Sequence, residues 1–118
     1  MAIEISDGIN ALEVMKRSAP KFAIPENVDN LLKEEHGVSF DEFYQRWLDL
    51  HINILNILAD LDNTEDLSKV SFIVVQNKAT VKKLIEKSEN NSIIYNILNS
   101  PVNIVDKFVK DKVNKKFS

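Results

Sequence analysis

The sequence predicts an all-α fold: one compact bundle of five to six helices with a long central helix, spanning residues 1–118 as a single helical domain. Three observations carry this reading. Apolar residues recur at helical spacing in every segment between the breaks. The stretch opening at Ser39 has the marks of a helix start and then continues for about six turns. Its apolar arc covers well over half the circumference, more than one neighbour can bury.

The first segment takes Ser6 or Asp7 as N-cap, carries Ile9, Leu12 and Met15 at helical spacing, and stops before Pro20. Ala2–Ile5 reads as a short extended start. Pro20 and Pro25 bracket a non-helical linker, Lys21–Ile24, because proline disfavours helical backbone in the residue before it. A short second helix follows, with Pro25 at its first position, Val28, Leu31 and Leu32 inward, and Gly37 as the left-handed residue past its end.

Ser39 and Glu42 form a capping box, each side chain positioned to satisfy the other's backbone N–H, and Val38 and Phe43 stand where a hydrophobic staple requires them. With Trp47 as origin on a helical wheel, Glu42, Gln45, Arg46, Asp49, Asn53, Asn56 and Asp60 share one polar sector. Phe40, Phe43, Tyr44, Leu48, Leu50, Ile52, Ile54, Leu55, Ile57, Leu58 and Leu61 fill the rest. This helix belongs in the middle of the bundle, with Trp47 and His51 buried together.

Asn63 or Thr64 caps a fourth helix, with Glu65 and Asp66 placed against its N-terminal dipole. Val70, Ile73, Val74, Val81, Leu84 and Ile85 make its stripe as far as Ser88. Val70–Val75 alone would also suit a strand, but the stripe stays in helical phase through Ile85. Asn90–Asn91 breaks it. A short helix, Ser92–Asn99, carries Ile94, Ile97 and Leu98. Ser100–Pro101 then opens a final helix with Val102, Val105, Val109 and Val113 inward, and Asn103, Lys107, Lys110, Asn114 and Lys115 turned roughly the other way.

The 118 residues are 44% apolar and 28% charged, the profile of a folded chain. Cysteine is absent, which excludes disulfides, thiolate metal sites and cysteine nucleophiles. Two glycines cannot build a phosphate-cradling loop. No leader or spanning stretch is present, so a cytoplasmic location is expected. Ile, Asn and Lys number thirteen each against two Arg, which points to an AT-rich bacterial or phage genome. Residues 1–66 hold fourteen acids and five bases, residues 67–118 four acids and ten bases. Packing of the halves on each other would let these fields compensate.

Chemistry is sparse. His36 and His51 lie on different helices with no carboxylate at ligand spacing. His51 reads as a hydrogen-bonded core residue, and an imidazolium at His36 suits the end of its helix. The acidic run Asp60–Asp66 fails as a calcium loop, with Glu65 at the required glycine and Ser71 at the required glutamate. Asn90-Asn91-Ser92 matches a glycosylation acceptor, with nothing to route the chain to a secretory compartment. No catalytic residue, cofactor, metal or small-molecule substrate is therefore expected.

Gly37-Val38-Ser39, followed by Phe43-Tyr44 and Arg46-Trp47, resembles the turn and recognition-helix start of tetracycline-repressor-class helix-turn-helix proteins, over residues 28–47. The resemblance implies groove reading by Phe40, Asp41 and Glu42. Two carboxylates there oppose phosphate, which favours Lys and Arg. The expected function is a non-catalytic helical protein-binding module of inhibitor, immunity or phage-assembly type, by class-level analogy. A nucleic-acid-binding regulator is the alternative, and peripheral membrane contact through the basic last helix a third. The candidate partner-binding residues are Lys107, Lys110, Lys115, Asn103 and Asn114.

Overall fold

The computed structural model describes residues 4–18, 24–61, 64–87 and 92–117, and every regular element among them is a helix. The order is α1 (Ile5–Ser18), α2 (Glu26–His36), α3 (Phe40–Asp60), α4 (Thr64–Lys87) and α5 (Ser92–Phe117). The stretch Lys21–Ala23, the candidate cap Asn63, Ser88 and the Asn90–Asn91 break lie outside the described residues.

Helix α1 starts earlier than the caps at Ser6 or Asp7 imply. The Glu4 N–H donates to Asp7 Oδ2 at 3.1 Å, so the cap sits at Glu4 and Asp7 reaches back from the first turn. Pro25 stands one place outside α2 as its N-cap, with its carbonyl accepting the N–H groups of Val28 and Asp29. At the other end Gly37 adopts φ 71°, ψ 17°, and its N–H bonds the Lys33 carbonyl at 3.0 Å. That left-handed conformation carries little penalty without a Cβ.

The α2–α3 junction departs from a reciprocal capping box. Ser39 Oγ accepts the Glu42 N–H at 3.3 Å, but the Glu42 carboxylate turns forward to Arg46, 3.0 Å away. The α3 N-terminus recruits Asp29 from α2 instead, whose Oδ1 accepts the Phe40 N–H at 2.8 Å. That bond, and the Lys33 ammonium beside it, hold the Asp29 carboxyl below its ordinary range.

Helix α3 touches all four others. Phe40, Tyr44, Trp47, Leu48, His51, Ile54, Leu55 and Leu58 are buried along it, while Leu50 and Ile57 point out of the core. The outer edges of a broad apolar arc remain uncovered because α4 touches α3 less than any other contacting pair. In α4, Val70, Val74, Val81, Leu84 and Ile85 face inward, whereas Ile73 sits at the exposed edge and Asn77 takes a buried place in the stripe.

Ser92–Phe117 is one helix, not two, and Pro101 lies inside it. Proline removes the donor to the Ile97 carbonyl and crowds the preceding turn. Ile94, Leu98, Val102, Val105 and Val109 nevertheless stay in phase across it, and burying that whole stripe outweighs the local loss. At the neighbouring residue, Trp47 Nε1–H bonds the Leu98 carbonyl at 2.8 Å and ties this turn to α3. Phe108 joins the buried stripe against Gly8 of α1, where any Cβ on the glycine would overlap its ring. The core takes residues from all five helices, from Leu12 to Val109.

Candidate functional site

The predicted basic face does not form one patch. Lys110 and Asn114 line a groove of about 420 Å³ between α4 and α5, floored by Val74, Val75, Val109 and Val113. Its rim is a three-centre ion cluster, with Lys78 Nζ and Lys110 Nζ each 3.0 Å from Asp106 Oδ2. Partial burial pushes the Asp106 carboxyl up, but bonds from Lys110 and Lys78 outweigh it and the net direction is down. Asn103 is exposed one turn from Asn99, whose amide approaches it at 3.5 Å. Lys107 and Lys115 are exposed outside the groove. Lys112 turns inward instead, donating to the Leu58 carbonyl at the C-terminal end of α3, where no basic residue of α3 itself stands.

Val75, on the α4 side of this groove, is 60% exposed, and Phe72, three residues before it and outside the lining, is 61% exposed. Neither was among the expected site residues. Phe72 falls opposite the inward stripe on the α4 wheel, a signal present in the sequence but masked by the continuous apolar run at Val70–Val75.

A second concavity opens where α2 ends, α3 begins and α4 passes with little contact. It has two lobes of about 390 and 320 Å³ that share His36, Phe43 and Thr80. The aromatic wall is layered. The His36 ring lies 5.4 Å from Phe43, which stacks at 5.7 Å and 17° on Trp47. Glu35 and Lys87 close one end as an ion pair, and the Lys87 bond lowers the Glu35 carboxyl against the opposing pull of burial. Arg46 and Lys83 complete the cationic lining.

His51 sits behind that wall, 1% exposed, its ring 4.6 Å from Trp47. Its Nδ1 is 2.6 Å from the Trp47 carbonyl oxygen, which can only accept, so Nδ1 carries the proton and Nε2 faces the core without a partner. Burial lowers its pKa against the raising effect of that bond. Among the described residues no cluster of His, Asp and Glu is arranged to hold a metal ion, and no helix is long and apolar enough to cross a membrane.

The three positions implied by the helix-turn-helix resemblance divide. Asp41 is exposed and Glu42 is paired with Arg46, but Phe40 is 1% exposed with its backbone tied to Asp29, so its ring is core and not a groove reader. No family model, curated protein or solved structure matches the chain.

Proposed function

We propose that the protein is a non-catalytic binding module that engages another protein through the α4–α5 groove, in the manner of an inhibitor, immunity or assembly adaptor. One observation supports this most: Phe72 and Val75 are majority-exposed on the α4 face beside a valine-floored groove with lysines at its rim. A phenylalanine this exposed adds little to the core, whereas an aromatic anchor next to an apolar groove is what a protein partner buries. Lys78 and Lys110 would meet acidic residues of that partner at the rim, where charge affects encounter more than final affinity.

A photo-crosslinker at Val75 in cells of the source organism identifies the partner, and purified components then measure binding. Val75→Asp should weaken the complex about tenfold or more, as loss of a central apolar contact does. Lys107→Gln, Lys110→Gln and Lys115→Gln together should reduce its salt dependence. A complex indifferent to Val75→Asp would overturn the assignment. A salt-dependent shift of duplex DNA with wild-type affinity for no protein would favour the regulator.

A further inference from the structure

The cleft between α2, α3 and α4 has a composition that the protein-binding reading leaves unused. Its wall is aromatic and layered, its lining adds Leu84 and Val38, and its cations outnumber the single carboxylate that shares it. Each lobe alone falls in the size range of small-molecule sites. The cations are not equivalent. Arg46 is engaged by Glu42 and Lys87 by Glu35, while Lys83 makes no ion pair or hydrogen bond among the described residues. Thr80 donates its hydroxyl proton to the Gln76 carbonyl, which leaves the hydroxyl oxygen as an acceptor on the cleft wall.

We infer that this cleft binds a small planar aromatic anion, with its ring against the His36 end of the aromatic wall and its carboxylate or phosphate at Lys83. A π-face on the exposed His36 ring, the outer end of a series that runs inward through Phe43 to Trp47, extends that series. An anion at Lys83 meets a cation that feels the Glu35 charge only at a distance, and it is repelled by Glu35, which holds Lys87. That repulsion gives the site a sign-specific signature. Removing the Glu35 charge strengthens binding of an anion and leaves a neutral ring unaffected.

The test uses the intact protein and four probes: naphthoate, adenosine monophosphate, adenosine and inorganic phosphate. Calorimetry gives affinity, and amide shifts together with emission from Trp47, the one tryptophan of the chain, give location. Saturable binding of naphthoate or the nucleotide is expected, with adenosine and phosphate each weaker by about tenfold or more, since each supplies half of the recognition. Which of the two anions binds decides between carboxylate and phosphate. Lys83→Gln should weaken binding about fivefold or more at unchanged melting temperature, because exposed charges add little to stability. Glu35→Gln should tighten it. No saturation by either anion, equal binding of adenosine and its monophosphate, or full affinity in Lys83→Gln would each overturn the assignment.

Discussion

At the residue scale the most consequential side chain is His51. It is held neutral by burial, with its one proton committed to the Trp47 carbonyl and no acceptor waiting for a second at Nε2. The folded-state pKa is depressed below the ordinary histidine value of 6.5, so the unfolded chain binds more protons in that region. This contribution to stability is complete above about pH 6.5 and is lost as pH falls through the depressed folded value. Urea midpoints should therefore fall between about pH 7 and pH 5, above the range where carboxylates titrate. His51→Gln should flatten that slope. An unchanged slope in the variant would show that His51 is not the titrating group. The burial of Trp47 with His51 was legible from the wheel of α3 alone, since both fall in its apolar arc. The orphaned Nε2 was not, because it depends on which nitrogen the backbone claims.

At the element scale the instructive case is α5. Ser100–Pro101 is the local signature of a helix start, and that signature is outvoted here by a stripe that keeps phase from Ile94 to Val109. The tertiary bond that accompanies the proline, Trp47 Nε1–H to the Leu98 carbonyl, spans 51 residues and leaves no trace in local sequence. Loss of that donor in Trp47→Phe should cost about 0.5–1.5 kcal/mol through the lost hydrogen bond, beyond any packing change. In a Pro101→Ala background, where the adjacent Ile97 carbonyl regains its helical donor and the turn is held without the indole, the same substitution should cost less. Chemical denaturation of the four-member cycle reads the coupling, expected at about 0.5 kcal/mol or more. Strict additivity would mean that indole and proline act independently. The same contrast explains the α2–α3 junction: Gly37 and Ser39 announce the turn, while the cap on the Phe40 N–H comes from Asp29 on the preceding helix, which no local pattern marks.

At the scale of the whole molecule, charge and core tell one story. The acidic first half and basic second half meet through Lys87 with Glu35 and Lys112 with the end of α3. The core interleaves both, since α5 packs on α1 and α3 as well as α4. Expressed separately, residues 1–66 and 67–118 should each show little helix by circular dichroism, and mixing them should restore it. A stably helical isolated half would refute this shared core. The molecule is elongated, 46 × 26 × 23 Å with a radius of gyration of 15.1 Å, against about 13.5 Å expected for a near-spherical chain of this length. Long α3, α4 and α5 account for the shape, and their limited α3–α4 contact leaves the aromatic cleft open.

The contact of Gly8 with Phe108 also has a consequence for the order of events at the ribosome. Of the five helices α1 is made before the others, yet the ring that covers its glycine arrives roughly 100 residues later, an interval of about 5–20 s at ordinary elongation rates. Through that interval the inner faces of α1 and α3, including Leu12 and the unbonded Trp47 indole, face solvent or a holding chaperone. Closure of the bundle is thus a late, long-distance event in the life of the nascent chain, and the side chains exposed while it waits set how much of the protein is lost to aggregation.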